Sequence, residues 1–182
     1  MTDSIDDLSA LRIEREPLNT GGGRSPRIET IPQKYFIGKS MKMNFANNRT
    51  VDLWNSFMPH KKEIENTIGQ ELYSMQIYSV DFFQQFDPMK EFEKMAMVEV
   101  DEVTQVPNEM IRVVLPKGLY AVFNYVGLPG NAENTFRYIF SDWLPNSIYK
   151  LDDRIHFEIL GNKFRRDDPN SEEEIWIPIE LR

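Results

Sequence analysis

The sequence predicts an α+β fold made of two similar modules, each running strand, helix, strand, strand, with one antiparallel sheet, two long helices and a central groove. Three observations carry that prediction. Apolar residues alternate with polar ones in several short stretches, which is the signature of half-buried strands. Two other stretches instead place their apolar residues three and four apart, as amphipathic helices do. Finally, Ile28 and Met110, Arg49 and Asn131, and Met75 and Ile155 open corresponding elements with an offset of about 80 residues. The two halves share element order far more than they share residues.

Taken in order, residues 1–25 are a polar lead that ends in Gly21-Gly22-Gly23, a triplet with great backbone freedom. A flexible tail is expected there; Ile5, Leu8 and Leu11 also permit a short helix. The folded domain is expected over 26–182, with pseudo-repeats at about 27–102 and 109–181. Tyr35, Ile37, Met41, Met43 and Phe45 share one parity, which predicts a long half-buried strand. Asn47, Asn48 and Thr50 offer capping oxygens ahead of Val51, Trp54, Phe57, Met58, Ile64 and Ile68, which predicts a helix ending near Gly69. Pro59 lies inside it and must kink the helix or start a second piece. Strands follow at 73–82 and 93–101. The link between them carries Phe83, Phe86 and Met89 and is too apolar to be fully solvated, so it is expected to fold back onto the body.

In the second half, 109–127 is strand-like with a bend or bulge expected at Pro116-Lys117-Gly118. Phe136, Ile139, Phe140 and Trp143 then lie on one helical face, and Pro145 is expected to end that helix. Two more strands are expected, around 155–160 and 174–179.

Composition narrows the function. Lys and Arg number 21 against 29 Asp and Glu, a formal charge of −8, so a polyanion would be repelled and direct nucleic-acid binding is disfavoured. Cysteine is absent, which removes disulfides, thiolate metal sites and cysteine nucleophiles. The two histidines, His60 and His156, are far apart in sequence, so no metal site is expected. The first fifteen residues lack the apolar core of a secretory signal, and no apolar run reaches membrane-spanning length, so a cytoplasmic location is expected. G-x-S-x-G, the phosphate-binding loop, H-E-x-x-H and G-x-G-x-x-G are all missing, and no cofactor is expected.

Gly118-Leu119-Tyr120-Ala121-Val122-Phe123 with the later Gly127, then Trp143-Leu144-Pro145, then Phe157-Glu158-Ile159 resemble the landmarks of the GyrI-like small-molecule-binding family. That family includes the effector-binding domains of AraC-type and multidrug-sensing regulators. The resemblance covers about Arg27 to Leu181 and implies two strand-helix-strand-strand (SHS2) modules with a groove on their pseudo-symmetry axis, where relatives bind lipophilic, often cationic, molecules. By position Glu158 matches the family's groove carboxylate, and Trp143 matches its helix-end aromatic. Many relatives carry Tyr two positions after that Glu, where this chain has Leu160, which weakens an enzymatic reading.

The residues support the same site on physical grounds. A carboxylate between Phe157 and Ile159 is costly to bury unless it is paired, hydrogen-bonded or protonated, and so invites a cation. Trp143, Tyr78, Tyr120 and Trp54 offer ring faces to such a ligand, at about 0.5–2 kcal/mol each. For the tryptophans the alternative is helix core, and for Tyr78 and Tyr120 it is cross-strand packing. The expected function is therefore a stand-alone small-molecule-binding protein that senses or sequesters lipophilic cations, since a 25-residue lead is too short for a DNA-binding module. Two alternatives remain: a hydrolase of strained or electrophilic compounds with Glu158 as general base, and a modulator of a DNA topoisomerase acting through protein contact.

Overall fold

The computed structural model describes residues 25–79, 81–85 and 87–182, so the tail expected over residues 1–25 falls outside the described residues except for Ser25, and Phe86 falls outside them altogether. The chain forms one nine-stranded antiparallel sheet and two helical segments. In chain order these are β1 (Arg27–Ile31), β2 (Lys34–Met43), α1 (Thr50–Phe57), β3 (Leu72–Ile77), β4 (Phe92–Val100), β5 (Ile111–Leu115), β6 (Gly118–Val126), α2 (Glu133–Tyr138), α3 (Leu144–Asn146), β7 (Tyr149–Leu151), β8 (His156–Leu160) and β9 (Glu172–Leu181).

The sheet order is β1-β6-β9-β8-β3-β4-β2-β5, with β7 added on β9. If β1, β2, β3 and β4 are matched to β5, β6, β8 and β9, that order reads the same from either end. The fold is therefore a duplication. Each half lends its first strand to the other half, β1 pairing with β6 and β5 with β2. The pseudo-dyad passes through the β3–β8 ladder, where Ser74 stands opposite Glu158.

Three apolar clusters hold this frame. On one sheet face, α1 packs Leu53 and Phe57 onto Ile37, Ala96 and Val98, and the second helical segment packs Ile139 and Leu144 onto Ala121, Phe123, Ile175 and Ile177. On the other face, Ile31, Phe36, Tyr73, Met75, Met97, Leu115, Tyr120, Phe157 and Trp176 form a third cluster to which no helix contributes. Strands alone enclose it. Its rings make a continuous chain, with centroids 4.8 Å apart for Phe36–Tyr73, 6.1 Å for Tyr73–Phe157 and 5.2 Å for Phe157–Trp176.

Several expectations are corrected by this arrangement. The Pro116-Lys117-Gly118 interruption is a break between two strands with different partners, β5 on β2 and β6 on β9 and β1, and Pro32-Gln33 does the same in the first half. Strand β2 is buried on both faces over Phe36 and Ile37, because helix and strand cores meet on either side of it. Helix α1 stops at Phe57, well before Gly69, and Pro59 opens a separate 3₁₀ stretch over Met58–Glu63. Its entry is fixed by Asn48 Oδ1, which accepts the Thr50 N–H at 3.0 Å.

Pro145 does not end the second helical segment. The chain widens into a π turn over Ile139–Trp143, with Leu144 N–H bonded to Ile139 O, and continues helically through Asn146. A proline has no N–H to donate, so the widened turn just before it accommodates the loss without stopping the helix. The strand expected over 73–82 ends at Ile77, and Phe82 lies in the link, buried against Phe92 and Tyr78; the link folds back at Phe83, which stacks on Phe140, while Met89 stays exposed.

Candidate functional site

The two helices cover opposite ends of one sheet face and leave the β3–β8 ladder between them. Strand alternation decides what that ladder shows. Phe157 and Met75 go to the helix-free core, so Ser74, Gln76, His156 and Glu158 lie on the helix side. These four lie on the pseudo-dyad between the two helices, where the family resemblance implies a groove. Ser74, Gln76 and His156 are buried, and Gln76 Nε2 donates to Ser74 Oγ at 3.2 Å. Glu158 is half-buried, and its side chain makes no hydrogen bond or ion pair among the described residues.

Two further charged side chains approach these four from diagonal corners. Ala96 stands opposite Ser74, and Ile175 stands opposite Glu158. Two residues earlier on the same two strands are Lys94 and Glu173, which are therefore counterparts under the duplication. Burial, reinforced by the charge of Glu158 and opposed by that of Lys94, pushes the Glu173 carboxyl up to about 7.

The wall is aromatic. The Tyr78 ring meets His156 edge-on at 5.0 Å, Phe82 at 4.6 Å and Phe83 at 4.9 Å. Phe83, from the link that folds back, stacks on Phe140 at 4.5 Å with 19° between planes and lies 5.5 Å from His156. Phe140 sits in the π turn, so that irregular turn brings a ring from the second half against one from the first. Burial holds the His156 imidazole neutral, lowering its pKa to about 3. Burial first, and the charge of Glu158 second, hold the Tyr78 phenol far above its ordinary value, so it stays protonated. The result is a carboxylate among neutral rings, with a second carboxyl close enough to feel it.

Of the residues expected at the site, Glu158 and Tyr78 come together at the groove, the charge of the first acting on the phenol of the second. Trp54 lies on α1, 6.0 Å from Phe57, and packs against the α1 core. Trp143 packs edge-on against Phe123 at 5.2 Å and stacks on Tyr149, which places it on the β6 side of its helix. Tyr120 is corrected outright. It is wholly buried on the helix-free face, donates to Ile155 O at 3.0 Å, and has the Arg154 guanidinium 4.6 Å from its ring. Alternation along β6 sends Ala121 and Phe123 to the helices, and so sends Tyr120 away from them.

Sequence reasoning missed Ser74, Gln76, His156 and Glu173 as groove residues and treated Phe140 as helix core. Matching Ser74 to Glu158 through the duplication would have found the first two. Alternation from Glu158 gives His156. Nothing in the local sequence separates Glu173 from its neighbours Glu172 and Glu174.

A model of the GyrI-like small molecule binding domain matches residues 24–180. A transcriptional regulator of Pseudomonas aeruginosa, BrlR, is 32% identical over 154 residues, which is 84% of this chain and 54% of the regulator, so the chain spans about half the length of that relative. Among solved structures, SAV2435 bound to tetraphenylphosphonium superposes with a TM-score of 0.56 at 13% identity, over 86% of this chain and 94% of that one. A hydrolase from Listeria innocua superposes with a TM-score of 0.58 at 13% identity, over 87% of this chain and 93% of that one. At such identities the two structures share the fold and nothing finer is carried across. The extent of the family match, together with the two-module sheet, shows that the chain belongs to the GyrI-like small molecule binding domain family.

Proposed function

We propose that this protein binds lipophilic cations in the dyad groove, where it senses or sequesters them, with Glu158 as the counter-charge and Tyr78, Phe83 and Phe140 as the apolar walls. The observation that carries this reading is an unpaired carboxylate placed beside a cluster of neutral rings. A half-buried carboxylate without a partner is costly, and a cation entering the groove relieves that cost while the ring faces add their quadrupole attraction. The ligand-bound neighbour supports the choice of probe, since its ligand is a permanent cation surrounded by phenyl groups.

Titration calorimetry with tetraphenylphosphonium tests it. Wild type should bind, and Glu158→Gln should lose roughly 2 kcal/mol, about thirtyfold in affinity, as expected for a partly desolvated charge pair. A neutral aromatic of similar size should bind both forms alike. Equal affinity of the cation for both forms would remove Glu158 from the role.

A second reading is favoured by one observation, the protonated Tyr78 phenol under the influence of Glu158. In a hydrolase, Glu158 would draw a proton from water and Tyr78 would donate a hydrogen bond to the developing oxyanion. Turnover of reactive esters or strained rings that disappears in both Glu158→Gln and Tyr78→Phe would promote it; no turnover above the buffer rate would dismiss it.

A further inference from the structure

Glu172, Glu173 and Glu174 are consecutive at the start of β9, yet they meet different fates. Glu172 pairs with Lys163 at 2.9 Å. Glu174 pairs with Arg27 at 2.7 Å and accepts from Trp176 Nε1 at 3.0 Å. The side chain of Glu173, on the helix side between them, makes no hydrogen bond or ion pair among the described residues. Its position follows from register, because Ile175 stands opposite Glu158 and Glu173 is the next residue on the same face of β9. Beside it lies His156, which is only 6% exposed and makes ring contacts but no hydrogen bond among the described residues. Two carboxyl groups and a buried imidazole thus lie on the same face of the sheet, none of them in a hydrogen bond or ion pair among the described residues.

We propose that Glu173 is the groove's second carboxyl group, and that it gives up its proton to solvent when a cation enters beside Glu158, so that cation uptake is coupled to proton release. The inference rests on the cation-groove reading above and adds its proton linkage. Before a ligand arrives, burial first and the Glu158 charge second keep the proton on Glu173 up to about pH 7. A cation between the two carboxyls reverses that preference, because an opposite charge within about 4–6 Å lowers a carboxyl pKa by about 1–3 units. The O–H bond of Glu173 breaks heterolytically, the proton goes to water, and the resulting carboxylate shares the ligand's charge with Glu158.

Other ionisable groups around Glu173 are accounted for. From β4, Lys94 weakly favours the carboxylate. From β6, Tyr125 stands opposite Glu173 and donates its hydroxyl to Leu128 O at 2.9 Å. From α2, Glu133 and Arg137 pair with each other at 2.9 Å. From the end of β3, Tyr78 is protonated, and from β8, His156 is neutral. Of these, Lys94 carries the opposing charge but makes no ion pair with Glu173 among the described residues.

The test is calorimetry of the full chain with tetraphenylphosphonium, whose charge does not titrate, between pH 5.5 and 8 in two buffers of different ionisation enthalpy. Wild type should bind about tenfold more tightly at pH 8 than at pH 5.5 and should release a proton near neutrality. Glu173→Gln should still bind, with affinity flat across that range and no proton released. Binding by wild type without slope or proton release, or a slope that survives in Glu173→Gln, overturns the linkage and leaves the cation groove standing. Absence of binding at every pH overturns both. Should Glu173→Gln fail to fold, carboxyl-carbon NMR of wild type decides: the Glu173 midpoint should lie near 7 without the cation and fall by a unit or more with it, and an unmoved midpoint overturns the proposal.

Discussion

The two halves of this molecule have the same frame and different chemistry. At core positions the register matches like with like: Ile31 with Leu115, Phe36 with Tyr120, Tyr73 with Phe157, and Val98 with Ile177. At the dyad it matches unlike residues, Ser74 with Glu158, Lys94 with Glu173, and Leu72 with His156. Packing needs only apolar volume, so the duplicated frame tolerates many apolar substitutions and keeps its shape. A groove on a symmetry axis would otherwise present the same group twice, and two facing copies of Glu158 would repel. Placing the carboxylates in one half and Ser74 and Lys94 in the other gives the groove a direction, and therefore orients an unsymmetrical guest.

The largest expected effect breaks the structural half of that comparison. Gly38 on β2 corresponds to Val122 on β6, and the two sites are not interchangeable. A β-carbon on Gly38 would collide with the Ala96 carbonyl oxygen and crowd the Met97 sulfur. Backbone cannot move aside as a flexible side chain can, so Gly38→Val should cost about 3 kcal/mol or more in urea unfolding, against about 1 kcal/mol for Val122→Ala. Similar losses at the two sites would mean that the frame is less asymmetric than its register implies.

A smaller effect sharpens the chemical half. The pKa of Glu173 is raised in the fold, from 4.5 to about 7, so folding favours its protonated form and its contribution to stability falls as pH rises from about 4.5 to 7. The pKa of His156 is lowered, from 6.5 to about 3, so folding favours its neutral form and its contribution falls as pH drops from 6.5 toward 3. Between about 4.5 and 6.5 the two slopes oppose. Wild type should therefore change little there, whereas Glu173→Gln should gain stability with rising pH and His156→Leu should lose it. Each slope should be about 1 kcal/mol per pH unit at most, the Glu173 one being reduced by its partial exposure. Thermal melts of the three proteins across that range check the signs, and slopes of the same sign in both variants would contradict the assignment.

Much of the frame was legible in the sequence because alternation and helical spacing report burial directly. Element order, the duplication and the fold-back of the link at Phe83 all follow from apolar pattern. Strand partners did not follow. Whether Pro116 bends one strand or separates two depends on which neighbours β5 and β6 choose, a long-range choice that local pattern does not encode. For the site, Glu158 was singled out by its resemblance to the family's groove carboxylate, since spacing alone would leave it facing solvent, and Tyr78 lies just past the end of β3. Tyr120 is misplaced because it opens an apolar run, Tyr120 to Phe123, buried on both faces, which gives no parity signal. Glu173 was hidden inside a run of like charges whose partners, Lys163 and Arg27, are remote in sequence.

The smallest expected effect concerns the two tryptophans nearest the helices. Trp54 belongs to α1 and packs against Phe57, while Trp143 belongs to the second helical segment and packs against Phe123 and Tyr149. Each touches its own half, whereas Phe83 and Phe140 join the halves across the groove. If a cation is held where the halves meet, then shrinking a ring within one half should alter packing and leave affinity nearly alone. Trp54→Phe and Trp143→Phe should each cost about 1 kcal/mol of stability and change tetraphenylphosphonium affinity by less than about twofold. Phe140→Ala should weaken binding severalfold, by the loss of about 1 kcal/mol of ring contact. The reverse ranking, with Trp143 dominant, would move the guest from the dyad to the outer flank of the second helix and make the asymmetry of Glu158 and Glu173 irrelevant to binding.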